Sequence, residues 1–401
     1  MSTKPQRAAE GLFSGLSLNT FLLAFASLFA DISTEMQYPV LPTFLTQTLG
    51  ANGTVVGLID GCAVALQNIV QGFTGALSDR LRRRKPIALC GYLVAAIAKP
   101  LTGLATSWPQ AFGARCLDRL GAGSRSAPRD ALIASSTDEK NRGRAFGLEG
   151  VGDNGGAFLG PIVTVLLLYT LHVGVRWVFY LTLFPGLMAF LMVLLVRERP
   201  TSVAAKAKLD VSLRQFPRSY WTYLLVTALF ALGNSSNAFL LLRTRDSGAS
   251  LETTILVYAA FNLVAALISY PAGTLSDRFG RRNVLLACFG VFLLAYLGFA
   301  ITSTFVVMAA MFVLYGLYQG IFRAVGKAFA SDFVPERLHA SGIGWYSTTV
   351  GLVQLIASLV AGFLWDRIGH PAVFYFGAMS AVLGIAALTA LIPNARPIPP
   401  T

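Results

Sequence analysis

Long apolar runs alternate with short polar gaps along almost the whole chain, and the length of the runs is the informative quantity. Crossing the hydrocarbon of a bilayer takes about 20 helical residues. That ruler predicts twelve membrane-spanning helices, near residues 18–45, 54–78, 86–106, 108–131, 142–170, 174–196, 219–242, 251–276, 283–302, 304–330, 338–365 and 370–392. The stretch Arg197–Arg218 carries Pro200, Lys206, Lys208 and Asp210 and reads as a polar loop joining two halves, 18–196 and 219–392. The tails, 1–17 and 393–401, are short, and Pro397, Pro399 and Pro400 disfavour a helical C-terminus. The expected fold is an all-α integral membrane protein with two pseudo-symmetric six-helix bundles.

The two halves repeat one phrase. Gly75-Ala-Leu-Ser-Asp79-Arg80-Leu-Arg82-Arg83-Arg84-Lys85 returns as Gly273-Thr-Leu-Ser-Asp277-Arg278-Phe-Gly280-Arg281-Arg282, an offset of 198 residues from Gly75 to Gly273. A weaker echo joins Arg142-Gly-Arg-Ala-Phe-Gly147 to Arg337-Leu-His-Ala-Ser-Gly342, at an offset of 195. A duplicated membrane protein with a charged hinge at matched places is the pattern of a two-lobed secondary transporter.

Composition agrees and narrows the alternatives. Charged residues make up 13% of the chain, against about 25% for a soluble domain, and the net charge is +13. The basic residues sit mainly in the gaps at Arg80–Lys85, Lys140–Arg144, Arg197–Arg218, Arg278–Arg282 and Arg337. The gaps near Gly50–Thr54, Thr106–Trp108 and Thr302–Thr304 are almost uncharged, with exceptions at Arg176, Arg243–Asp246 and Asp366–Arg367. Lysine and arginine enriched on one side mark the cytoplasm, so both termini are expected there, in a bacterial inner membrane. The basic balance thus reports orientation in lipid and not a nucleic-acid partner. Cys62, Cys90, Cys116 and Cys288 form no Cys-x-x-Cys pair and read as buried thiols. The first apolar run follows no cleavage signal and reads as a retained span.

These residues resemble the major facilitator superfamily, whose loop between the second and third helices reads G-x-x-x-D-R-x-G-R-R-K. Arg82 stands in the first copy where glycine is usual, and Asn283 ends the second where a base is usual. The resemblance implies that Asp79, Arg80, Asp277 and Arg278 form a cytoplasmic gate latch, through charge-assisted bonds at helix ends. The fourth span, Arg115-Cys-Leu-Asp118-Arg119-Leu-Gly121-Ala-Gly123-Ser-Arg125-Ser-Ala-Pro128-Arg129-Asp130-Ala-Leu-Ile, resembles a DR-x-GKG-x-R-x-x-PRDALIA pattern of one bacterial branch, which includes some nickel-resistance exporters. Ala122 replaces the lysine of that pattern, and the chain holds three histidines in all. The fifth span, Gly147 to Pro161, is similar to the glycine-and-proline motif of proton-driven exporters.

Ionisable residues at membrane depth are costly and are functional candidates by default. Asp31 and Glu35 stand at i and i+4 on the first span, on one helix face, as do Glu149 and Asp153 on the fifth. Paired carboxylates suit reversible protonation or cation binding; the structural alternative is neutralisation by a fixed base such as Arg115 or Lys99. Arg115 occupies the position of the fourth-helix arginine that the resemblance implicates in proton coupling, with Asp118 beside it. The expected coupling set is therefore Asp31, Glu35, Arg115, Asp118, Glu149 and Asp153. Arg125 and Arg129 could hold an anionic substrate or simply pair with Glu149 and Asp153. The C-terminal half offers Asn234, Asn237, Tyr318, Arg323 and Tyr346 as substrate contacts, and Asn234-Ser-Ser-Asn237 is placed to break its helix. Pro39 and Pro42 are placed to loosen the first span.

The expected function is proton-coupled export of a small solute by a monomer that rocks two lobes about a midplane site. Divalent-cation export, through carboxylate oxygens, and import of a small organic anion are the alternatives. A receptor that kept the fold without transporting is a rival of another class. No nucleophile–base set appears, so no enzyme is expected, and no cofactor or resident metal.

Overall fold

A computed structural model describes residues 16–81, 83–138, 141–198, 216–335 and 339–393; the central loop and both tails fall largely outside them. The first half contains α1 (Leu18–Gln37), α2 (Leu41–Thr43), α3 (Gly53–Leu81), α4 (Lys85–Leu104), α5 (Trp108–Ser135), α6 (Arg142–Val165), α7 (Val175–Leu181) and α8 (Leu183–Leu195). The second contains α9 (Arg218–Ala231), α10 (Asn237–Asp246), α11 (Leu251–Phe279), α12 (Arg281–Ile301), α13 (Phe305–Asp332), α14 (His339–Arg367) and α15 (His370–Leu391). Short breaks join α1 to α2, α7 to α8 and α9 to α10, so the fifteen helices make twelve traverses, six per lobe.

Among the described residues, nine helical stretches are long and apolar enough by composition to cross a membrane. The three remaining traverses are lowered by polar residues or a break. Asn19, Asp31, Glu35 and Gln37 lower α1, the charges from Arg115 to Asp130 lower α5, and the break after Ala231 divides α9 from α10. Both predicted interruptions exist. After Gln37 the chain turns through Tyr38, Pro39 and Val40, and Phe44–Thr48 continues as a π-helix. Asn234, Ser235 and Ser236 are non-helical, and the Ser236 hydroxyl caps α10.

The repeat is visible in three dimensions. The bounds of α3 and α11 differ by 198 residues at each end. In both hinges an arginine donates to a backbone carbonyl of its own lobe, Arg84 to Ala131 and Arg281 to Ala328. The exceptions to the charge asymmetry also have a structural account. Arg176 donates to the carbonyls of Gly103 and Ala105 just past the end of α4, and Arg243 to those of Phe299 and Thr302 at the end of α12. Each satisfies carbonyls that a helix end leaves without partners. One expectation needs correction. Cys288 is buried, but Cys90 is exposed on the outside of α4, and all four thiols are free.

Glycine ladders set the helix spacing. On α6, a Cβ at Gly152, Gly156 or Gly160 would lie 2.4, 2.5 and 2.9 Å from the carbonyl oxygens of Ala24, Leu28 and Ile32 of α1. On α3, Gly57 and Gly61 let α14 approach in the same way, at Ser358 and Leu355, and Gly362 returns the contact at Gly53. The first contact is within the N-terminal lobe and the second joins the lobes. The lobes therefore meet at the end of the molecule where α3 begins and α14 finishes.

Asp366 closes that end. Its carboxylate accepts from the backbone N–H of Gly53 at 2.8 Å, from that of Thr54 at 2.7 Å and from the Thr54 hydroxyl at 2.6 Å. An acid of one lobe thus caps the first helical turn of the other, where the helix macrodipole adds to the bonds. Asp366→Ala is expected to shift the balance between closed and open forms of this end about fivefold toward open, taking about 1 kcal/mol for a lost cap. Distance distributions between spin labels at Asn52 and Ile368 check this; an unchanged distribution refutes the role.

Candidate functional site

Between the lobes, beyond the closed end and toward the arginine-rich hinges, lies a cavity of about 640 Å³. Its walls come from α1, α3, α5 and α6 on one side and from α10, α11, α13, α14 and the α9–α10 break on the other. A cavity of this size at a lobe interface accommodates a small molecule.

Behind the wall stands a buried charge cluster on α5. Asp118 is 1% exposed and receives Lys99 at 2.9 Å, Arg115 at 3.0 Å and Arg119 at 2.8 Å. A lone buried carboxylate is costly, and so is each lone cation, but together they satisfy one another. Arg115 also reaches Asp60 of α3 at 3.5 Å and stacks over the Tyr38 ring, and Arg119 donates to Gln67 at 2.9 Å. The expected Arg115–Asp118 pair therefore exists within a larger network. Asp60 was not among the sequence candidates, though a single acid inside the apolar run Gly53–Gly75 is the signal that would have found it.

Asp60 also links the lobes. Its carboxylate accepts from the Ser236 hydroxyl at 2.5 Å and from Tyr38 at 3.1 Å. The reciprocal contact comes from Tyr258 of α11, which donates to Glu35 of α1 at 3.0 Å. Tyr258 lies 198 residues after Asp60, the same offset that relates the two hinges. Each lobe's α3-type helix thus touches the interrupted first helix of the other. Tyr38 and Tyr258 stack across the boundary with ring centres 5.6 Å apart.

A second acidic site lies where α1 and α6 are held together by the glycine ladder. Asp31 and Asp153 share the cavity wall on these two adjoining helices, and Arg125 lies 3.7 Å from Asp31 while stacking over Tyr92. Farther along, Arg129 pairs with Glu149 at 3.0 Å and with Asp130 at 2.8 Å, and Ser27 bridges Arg129 and Glu149.

The predicted residues therefore separate into groups. Asp31, Glu35, Arg115, Asp153, Asn234, Asn237 and Arg323 line the cavity. Asp118 lies behind it, and Glu149 is engaged away from it. Arg125 and Arg129 are ion-paired within the lobe, the second of the two readings open for them, with Arg129 on Glu149 and Arg125 on Asp31 instead of Asp153. Tyr318 and Tyr346 do not line the cavity. Tyr318 packs among Phe230, Phe292 and Phe322, and Tyr346 stacks on Tyr223, inside the aromatic core of the second lobe. The cavity tyrosines are instead Tyr38, Tyr258 and Tyr315, the last donating to Asn234 and Asn237 at 3.1 and 2.8 Å. In the hinges, Asp277 is 3.7 Å from Arg281 and Arg278 stacks on Phe279. The side chains of Asp79 and Arg80 fall outside the described residues.

The family model of the Major Facilitator Superfamily matches residues 23–242 and again 223–401. The chain belongs to the major facilitator superfamily. It is 33% identical over 374 residues to an uncharacterised MFS-type transporter of Methanocaldococcus jannaschii, covering 92% of this chain and 93% of that one. It is 29% identical over 381 residues to multidrug resistance protein MdtG of Proteus mirabilis, covering 90% and 92%. Among solved structures, the nucleoside transporter NupG has the same fold, with a TM-score of 0.80 at 14% identity over 94% of this chain and 100% of that one. This facilitator is a membrane transporter and not an enzyme.

The cluster makes a stability prediction. Asp118→Asn leaves three buried cations short of a carboxylate, and about 3–5 kcal/mol of destabilisation is expected. Thermal unfolding in detergent checks it, with Lys99→Met added to Asp118→Asn expected to recover part of the loss. An unaltered unfolding temperature in the single variant would contradict the network.

Proposed function

We propose that this facilitator is a proton-coupled exporter of a small solute, acting by alternating access in the cytoplasmic membrane with both termini inside. The observation that carries the reading is the Asp31–Asp153 pair at the cavity wall. Two carboxyls on one cavity wall disfavour ionising together, so the pair is a place where a proton can be held and released. Release would leave two adjacent carboxylates facing Arg125. The helix that carries Asp31 also carries Glu35, whose bond to Tyr258 crosses the lobe boundary. Protonation at the pair therefore has a short mechanical route to the contact between lobes.

The charge asymmetry of the loops supports placing the Asp366 end outside. With that end closed, the cavity faces the cytoplasm, which is the loading side of an exporter. The name of the Proteus mirabilis relative, a multidrug resistance protein, supports the same direction. The hinge carboxylates Asp79 and Asp277 are proposed as the latch of the opposite, outward-open state. Cation export is not favoured. Its oxygen ligands would come from Asp31, Glu35, Glu149 or Asp153, and the first three are engaged separately by Arg125, Tyr258 and Arg129.

Purified protein in proteoliposomes, with an imposed pH gradient and a panel of solutes, tests the reading. Asp31→Asn and Asp153→Asn should each lose at least tenfold in gradient-driven accumulation while solute exchange at equal pH stays within about twofold, since only the proton-carrying step is removed. A panel in which no solute responds to the gradient removes proton coupling. Either variant accumulating like the parent removes the carboxyl pair.

A further inference from the structure

We infer that the cargo of this cavity is an organic monoanion and that Arg323 of α13 is its counter-ion. The inference rests on the transporter reading and names the substrate class for the same site. It follows from which charged side chains around the cavity have a direct partner. Lys99, Arg115 and Arg119 meet Asp118, Arg115 also reaches Asp60, and Arg125 reaches Asp31. Glu35 accepts from Tyr258, and Arg129 meets Glu149 and Asp130.

Arg323 is the exception. It is exposed to the cavity, and among the described residues none forms a hydrogen bond or ion pair with it. Glu35 and Asp153 line the same cavity, and neither forms an ion pair with it. The contrast with its neighbours is plain. Arg115, Arg119, Arg125 and Arg129 each meet a carboxylate, and Arg243 meets two carbonyls. An unmatched guanidinium at membrane depth is unfavourable, and an anion bound against it offsets that cost. Its planar fork of donors suits a carboxylate held through two bonds.

The rest of the cavity describes the body attached to that carboxylate. The stacked Tyr38–Tyr258 pair and the Phe261–Tyr315 pair, 5.4 Å apart between ring centres, present flat apolar faces. Gln319, Gln354 and Asn262 offer carboxamides that donate and accept. A flat or unsaturated body with one anionic group fits this lining.

Matched trios of probes test the inference by binding alone. Cinnamate, cinnamamide and cinnamylammonium share one body and differ in charge, as do hexanoate, hexanamide and hexylammonium. Shifts in thermal unfolding of the full chain in detergent give apparent affinities. The carboxylate of a trio should bind at least tenfold more tightly than its amide and its ammonium. Arg323→Gln should erase that preference with the unliganded unfolding temperature unchanged, and Arg323→Lys should keep a weakened one. If no carboxylate surpasses its amide, or if Arg323→Gln retains the preference, the inference is overturned. The wild-type trios decide even where a variant folds poorly. No flux or gradient enters this readout, so anion binding without gradient-driven transport would refute proton coupling and leave the anion site standing.

Discussion

The structure depends on one electrostatic requirement, that charge at membrane depth be neutralised within the protein. Asp118 meets it most densely, holding Lys99, Arg115 and Arg119 in a volume from which water is excluded. That cluster fixes the rotation of α5, because an outward-facing Asp118 would strand four charges in lipid. It also sets the position of Arg115, and through Arg115 that of Asp60 and Tyr38 at the cavity wall. A polar constraint behind the wall thus determines the geometry of the wall.

Close backbone approach is the second requirement, and it carries the first into function. Helices in lipid gain little from apolar contact with each other, so small residues decide which pairs associate. The ladder at Gly152, Gly156 and Gly160 brings α1 against α6 and thereby sets Asp31 against Asp153. A comparable ladder on α3 brings the lobes together at their closed end. The reciprocal contacts Asp60–Ser236 and Glu35–Tyr258 lie just beyond it. Both connect a long helix of one lobe to an interruption in the other. Interruptions expose backbone groups only where a cavity or a partner satisfies them, which explains why the breaks and the cavity coincide.

The two lobes use the same topology for different ends. The first lobe carries the buried charge, while the second has a core of stacked rings, among them Phe230, Phe289, Phe292, Tyr296 and Tyr318. An aromatic core is rigid and electrically quiet, and the first lobe contains groups able to change charge. On the proposed reading, movement of one against the other is a response of the charged lobe transmitted through a few bonds at the boundary.

Much of this was legible in the chain. Twelve traverses, the duplication and the broken spans at Pro39 and Asn234 followed from run length and from residues that cannot continue a helix. Asp31, Glu35, Asp153 and Arg323 were recognisable as cavity residues because an ionisable group in an apolar run has few other reasons to be there. Tyr318 and Tyr346 were misplaced, and the roles of Arg125 and Arg129 were left open, for a common reason. Helical spacing fixes which residues share a face but not the rotation of that face toward a cavity or a neighbouring helix. That rotation is set by packing, such as the ladder on α6 and the ring stack around Tyr318. Pairings between helices were equally invisible, since Asp60 and Ser236 lie 176 residues apart in sequence and 2.5 Å apart in space. The sequence by itself determined the number of spans, their repeat and the inventory of charge; only the tertiary structure decided which charges pair directly and which side chains face the cavity, because pairing is a property of distances between helices.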